Sequence, residues 1–246
     1  MKRALAIWAL VFWGCGQPDA SGAGGAAGAG GAGGMAGAGG AAGAPSEEVK
    51  AWARQVALGT EYGGGAKVIA RFASPPTLSV MKGNAADRAE LDELVPVLNQ
   101  ELGDHAIEVV ADGDASANIR VYYAPYSEFA GIGQANGFPV VPGNWGYFYL
   151  FWAPSHALTK AFVLLATDKL NGSKLRHFTF EEVTQSLGLA SDSDLFPDSI
   201  FYASGADGGD ATELSALDRR LLRFVYAHTE PGAELAAFDA AFDQHF

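Results

Sequence analysis

The stretch Phe180-Glu181-Glu182-Val183-Thr184-Gln185-Ser186-Leu187-Gly188-Leu189-Ala190-Ser191-Asp192 holds the residues best spaced for chemistry. Residues four apart on a helix share a face, so Glu181 and Gln185 would point the same way, with Glu182 beside them. Overlaid on the zinc-binding pattern H-E-x-x-H-x-x-G-x-x-H, Glu181 takes the first His position and Glu182 the Glu position. Gln185 takes the second His, Gly188 the Gly and Ser191 the third ligand, with Asp192 one place later. In that pattern the imidazoles hold the metal and the Glu activates its bound water. Here the Glu survives, but both helix imidazoles are replaced, and a Gln amide is a poor ligand for zinc. The chemistry on offer is therefore Glu182 as a general base beside an oxygen-rich metal site of Glu181, Gln185 and Asp192. Such a site would hold Ca²⁺ or Zn²⁺ only weakly.

Each of these residues has a purely structural alternative. Thr179 to Glu182 spells the capping box T-x-x-E, with Phe178 and Val183 placed as a hydrophobic staple, so Glu182 would cap a helix starting there. His177 lies four residues before Glu181, the spacing of a ligand pair, but a cap at Thr179 would leave it outside the helix. Gln185 would serve as a buried hydrogen-bonding residue, and Gly188 would end the helix in a left-handed conformation. From His177 to Asp218 there are nine acidic residues and no Lys or Arg. Within them, Asp192-x-Asp194-x-x-x-Asp198 supplies oxygens at a spacing suited to Ca²⁺. It lacks the glycine and the final glutamate of an EF-hand loop, and a solvated acidic loop with Asx turns is its structural counterpart.

The elements that position this stretch follow from periodicity and turn chemistry. Short strands are expected at Val68 to Phe72 and Thr77 to Val80, separated by Pro75-Pro76. Asn84 should start a helix with Asp87 completing a capping box, and Leu91, Leu94, Val95, Leu98 and Leu102 keep helical spacing. Pro96 should kink that helix. Further strands are expected at Ile107 to Val110, Asn118 to Tyr123, Trp145 to Trp152 and Ala161 to Thr167. The segment from Gly131 to Gly143 is expected to be a Gly/Pro loop, its glycines acting as punctuation. The run Trp145, Tyr147, Phe148, Tyr149 and Phe151 could line a cleft or divide between a core face and a partly covered one. Helices are expected from Thr179 to Leu187, from Ser215, whose Asp218 forms a capping box, and through Leu235, Phe238 and Phe242. Strands followed by C-terminal helices make an α+β domain.

The N-terminus sets the cellular context. Met1-Lys2-Arg3 precedes an apolar run from Ala4 to Trp13, then Gly14-Cys15. That run is too short for a membrane span of ~20 residues and reads as a secretory signal of lipoprotein type, with Cys15 the acylated residue. Residues 22 to 44 comprise twelve Gly, ten Ala and Met35, a composition with no side chains to bury. Residues 16 to 46 thus form a tether with a reach of about 30 Å. Residues 47 to 246 are enough for one domain with its own core. The chain has 16 Lys+Arg against 28 Asp+Glu, a net charge of −12 that argues against nucleic acid as a partner. One Cys excludes internal disulfides and Cys-based zinc clusters, and no two of the five His lie at ligand spacing along the chain. Neither G-x-S-x-G nor a phosphate-binding loop is present.

Glu181-Glu182-Val183-Thr184-Gln185-Ser186-Leu187-Gly188-Leu189, Asp192-Ser193-Asp194, Ser199-Ile200-Phe201, Leu214-Ser215-Ala216-Leu217-Asp218, Leu221-Leu222-Arg223, Tyr226 and Pro231-Gly232 resemble a bacterial family. It is domain of unknown function 2927, many of whose members carry lipoprotein signals. The resemblance is dense over residues 178 to 232 and weak upstream. It implies a zincin (metzincin)-like single domain with a degenerate zinc motif, a twisted mixed sheet, and an edge strand bordering the cleft, best matched by Trp145 to Trp152. The expected function is an envelope-anchored lipoprotein, periplasmic or on the cell surface, held to the membrane by its N-terminal lipid. Loss of both imidazoles points to a non-catalytic module for an unknown protein or peptide partner. The alternative is a metal-assisted hydrolase or peptidase using Glu182 as general base.

Overall fold

The computed structural model describes residues 45–59, 67–203 and 209–246. The expected signal, Cys15 and most of the tether lie outside these residues. The first described element is a helix that periodicity did not announce, α1 (Glu47–Leu58). Ser46, assigned to the tether by composition, is its N-cap and accepts from Val49 N at 3.3 Å. Trp52 in α1 is fully buried against Phe196 and Phe201.

β1 (Thr77–Lys82) leads into α2 (Ala85–Leu102), which opens with the expected capping box of Asn84 and Asp87. The helix continues through Pro96 as one element. Pro96 faces solvent, so the carbonyl it leaves unpaired one turn back can meet water. β2 (Glu108–Val109) is only two residues long, and β3 (Ile119–Ala124) matches its expected span closely. β4 (Gly146–Trp152) and β5 (Leu158–Ala166) follow as a hairpin. The segment Val68 to Phe72 is not a strand of the sheet. It forms isolated bridges, Val68 with Glu234 and Arg71 with Ala157.

The sheet order is β2-β1-β3-β5-β4. All neighbours are parallel except β4, which runs antiparallel to β5 at the edge. Successive side chains alternate between the two faces. On one face Val121, Phe148, Leu150, Val163 and Leu165 join the main core with α2 and the C-terminal helices. On the other, Tyr147, Tyr149, Phe162 and Leu164 build a smaller cluster with Phe129 and Phe138. The aromatic strand is therefore covered on both sides, and Phe138 stacks on Tyr149 at 4.9 Å.

That second layer contains the largest departure from the expected elements. Residues expected as a glycine loop form α3 (Phe129–Asn136) instead. Gly133 is there for proximity: a Cβ on it would lie 2.7 Å from Phe138 O and 2.7 Å from Val140 Cγ2. Gly137, at φ 80°, ends the helix in the left-handed region. Tertiary packing has overridden glycine's poor helix propensity here.

The C-terminal helices are α4 (Gly172–Gln185), α5 (Ala216–His228) and α6 (Leu235–His245). Ser215 and Asp218 form the expected capping box on α5, and Leu221, Phe224 and Val225 are buried as the spacing required. α6 is tied to α1 by the Lys50–Asp243 ion pair and by a bidentate Arg54–Asp239 pair at 2.7 and 2.8 Å.

Candidate functional site

Helix α4 positions every residue of the candidate site except Asp192, and it begins two turns earlier than its local sequence suggests. Asn171 is the N-cap, so Thr179 sits inside the helix and the T-x-x-E capping box does not form. The reason is tertiary. Arg176 bonds Glu90 and Glu93 of α2 at 2.5 and 2.6 Å, donates to Thr212 O at 3.0 Å, and lies 4.5 Å over the Phe180 ring. Those anchors fix the first turns of α4 against α2. Glu182 is therefore not a helix cap.

With the longer helix, His177 joins the site face. Its Nδ1 lies 2.6 Å from Ala211 O, and because a carbonyl only accepts, Nδ1 carries the proton. Its Nε2 lies 3.3 Å from Glu181 Oε2, one turn on, outside hydrogen-bond geometry and close enough for an ion pair when the imidazole is protonated. Burial lowers the imidazole pKa, but the nearby Glu181 carboxylate, the Ala211 carbonyl and Asp210 outweigh it, leaving His177 above its ordinary value.

Glu182 lies beneath the edge strand, as the expected arrangement required. A Cβ on Gly146, the first residue of β4, would sit 2.4 Å from Glu182 Oε1 and 2.4 Å from Phe178 Cδ1. The missing Cβ at Gly146 leaves room for these two side chains against β4. Burial raises the Tyr147 hydroxyl pKa, and the neighbouring Tyr149 hydroxyl and Glu182 carboxyl add to the shift.

Gln185 turns to the following loop and donates from Nε2 to Asp192 Oδ1 at 2.7 Å. The loop is brought back by Gly188, which has φ 104° and sits so close to the Arg71 segment that a Cβ would fall 1.7 Å from Ala70 O. Gln55 of α1 fixes the same loop, donating to Asp192 O at 2.9 Å and accepting from Ser193 Oγ at 3.0 Å. Ser191, at the third-ligand position, is buried and donates to Asp192 O at 3.3 Å.

The acidic loop is pinned by Asp218, which accepts from Ser199 Oγ at 2.6 Å, Ile200 N at 3.0 Å and Ser215 N at 2.8 Å. Burial raises its carboxyl pKa, and those hydrogen bonds only partly offset the shift.

These contacts decide what the site can hold. Glu181, Glu182 and Gln185 are 1, 2 and 3% exposed, so the helix face is covered. Glu181 is matched to His177, and Gln185 to Asp192. Asp194 and Asp198 are exposed, and they do not gather with Asp192 into a ligand set. Among the described residues no three His, Cys, Asp or Glu side chains converge as a metal centre. The residues at the zinc-pattern positions do not gather round a zinc ion: Gln185 is turned onto Asp192, and Glu181 faces His177 at 3.3 Å with both of its oxygens and His177 Nε2 buried outside any hydrogen bond. The i,i+4 spacing of His177 to Glu181 is the sequence signal for His177, masked because the expected cap at Thr179 leaves it outside the helix, whereas Gln55 reaches the site through a tertiary contact that no local pattern announces. A groove of about 430 Å³ between α3 and β3, lined by Tyr122, Glu128, Ile132 and Asn136, lies on the opposite side of the sheet.

The fold and site define a mixed α/β domain with a five-stranded mixed sheet and a buried polar helix beneath its antiparallel edge strand. Residues 50–242 match the family described as "Protein of unknown function (DUF2927)", and the chain belongs to it. The match reaches well upstream of residue 178, where the sequence resemblance alone was weak. Two solved structures of myroilysin are similar to the chain. The first is 12% identical with a TM-score of 0.43, over 67% of this chain and 89% of that one. The second is 14% identical with a TM-score of 0.38, over 64% and 94% respectively. No curated protein matches the chain.

Proposed function

We propose that this chain is a non-catalytic binding module of the bacterial envelope. In this reading it keeps a zincin-like scaffold without the zinc ligands and presents it to a protein or peptide partner. The observation that carries the reading is the internal pairing on α4: Glu181 is matched to His177 and Gln185 to Asp192, at the positions where a zincin would hold its metal. The antiparallel edge strand above α4, Glu182 beneath it and the positive-φ turn at Gly188 support the zincin-like assignment. The lipoprotein signal at Cys15 and the Gly/Ala run support envelope anchorage, with the domain held away from the membrane.

Elemental analysis of protein purified without a His tag tests the module reading. It should carry far less than one zinc per chain, and chelation should leave its melting temperature unchanged within about 1 °C, since a ligand absent from the native state adds no stability. One zinc per chain that disappears in Glu181→Ala, together with a peptidase activity lost in Glu182→Gln, would overturn the reading in favour of the hydrolase.

A further inference from the structure

The five histidines offer no ligand spacing along the chain, yet the fold brings two of them together. His228 is the last residue of α5 and His245 the last of α6. Their rings stack with centroids 4.1 Å apart and planes 5° from parallel, and both residues are exposed. The pair sits on a rigid base. Phe224, one turn before His228, makes edge contacts with Phe238, Phe242 and Phe246 at 5.4, 5.4 and 5.6 Å. His228 lies 6.1 Å from the same Phe224 ring. Two imidazoles are therefore held at neighbouring positions before any ligand arrives, which removes part of the ordering cost of binding.

The surroundings favour a cation. The C-terminal ends of two helices meet at this point, each with the partial negative charge of a helix C-terminus, which at α5 is partly answered by Arg71 donating to Thr229 O at 2.6 and 2.9 Å. The chain as a whole is at −12. Arg220 is turned onto the face of the Phe246 ring, 4.3 Å from its centroid. Imidazole nitrogen is a preferred ligand of Cu²⁺, Ni²⁺ and Zn²⁺, whereas Ca²⁺ and Mg²⁺ require oxygen. Stacked rings aim their nitrogens side by side, not at one point. A rotation about each Cβ–Cγ bond, where the torsional wells are broad, turns one nitrogen of each ring toward a shared ion.

We propose that His228 and His245 form a two-imidazole clamp for a borderline divalent transition-metal ion, with water completing the coordination shell. The clamp is separate from the α4 face, and it stands whether or not the module reading holds.

Calorimetric titration of the tag-free full chain, with Cys15 alkylated, against CuCl₂ and NiCl₂ tests it. One ion of either metal should bind per chain, and the Cu²⁺ spectrum in electron paramagnetic resonance should show coupling to two nitrogens. His228→Ala and His245→Ala should each weaken binding at least tenfold while leaving the metal-free melting temperature within about 2 °C, as expected for exposed positions. Gln185→Ala should leave the titration unchanged, which keeps this result apart from any metal at α4. Absence of saturable binding to the wild type, or full-affinity binding in both histidine variants, would refute the clamp.

Discussion

Gly188→Ala should be among the most damaging conservative changes in this domain, and its cost can be worked from two separate sources. The first is conformational. At φ 104° an alanine pays the left-handed penalty of about 1–2 kcal/mol. The second is steric. The new Cβ would lie 1.7 Å from Ala70 O, a backbone atom, so the neighbouring segment must move by well over 1 Å to restore ordinary contact. That segment is stapled on both sides of Ala70. Ile69 N donates to Ala233 O at 2.9 Å, Gly232 N to Ile69 O at 2.7 Å, and Leu158 N to Arg71 O at 2.9 Å. Moving it sacrifices one or two of these bonds, each worth about 1 kcal/mol. The sum is about 2–4 kcal/mol, and at about 2–4 °C per kcal/mol for a domain of this size the melting temperature should fall by about 10 °C. Gly113→Ala supplies the control. It has φ 78° and nothing within 4 Å of a built Cβ, so it isolates the conformational part at about 1–2 kcal/mol. The assay is thermal unfolding followed by circular dichroism on both variants. If Gly188→Ala melts within about 2 °C of Gly113→Ala, the close approach to Ala70 is not what fixes glycine at this turn.

The raised pKa of His177 sets a pH dependence. A histidine held above its unfolded value stabilises the fold fully below about pH 6.5 and loses that contribution as pH rises through the raised folded value. Urea unfolding from pH 5 to 9 should therefore show the stability gap between wild type and His177→Gln narrowing with rising pH, and a gap constant across the range would contradict the ion pair with Glu181. For the anchor, wild-type protein expressed with its leader should partition into the detergent phase and Cys15→Ala into the aqueous phase. Equal aqueous partitioning of both would exclude acylation at Cys15.

What could be read from the sequence, and what could not, divides on physical lines. Features fixed by a few neighbouring residues were legible. The capping boxes at Asn84 and Ser215 each depend on two neighbouring side chains and appear where the local rules put them, whereas Gly188 has the positive φ expected of it but stands beyond the end of α4, which closes at Gln185 with Ser186 as its C-cap. The start of α4 was not legible, although Thr179 and Glu182 satisfy the same capping rule. A capping box requires its first residue to leave helical geometry, and Arg176, anchored on α2, holds that residue inside the helix instead. From Thr179 to Leu187 every residue is buried, so no polar face was left to reveal helical periodicity or mark the boundary. α3 was hidden by Gly131 and Gly133, because intrinsic propensity counts against glycine while the contact of Gly133 with Phe138 and Val140 demands it.

The misplaced helix start changes the chemical reading of the site. A helix starting after Thr179 leaves Glu181 as an uncompensated carboxylate on a ligand face, a residue in want of a cation. The helix that starts at Gly172 supplies an imidazole from within: His177 arrives one turn before Glu181, with its Nδ1 proton committed to Ala211 O, its Nε2 turned to the carboxylate, and its pKa raised so that it more readily takes up a second proton. Moving a buried carboxylate out of water costs several kcal/mol unless it is paired, so removing His177 should leave Glu181 far less favourable than removing both residues together. A double-mutant cycle of His177→Gln and Glu181→Gln measures this, with the double variant expected to be more stable than the sum of the single losses by 1 kcal/mol or more. Additive losses would mean that Glu181 draws its compensation from elsewhere, and the internal pairing on which the module reading rests would fail with it.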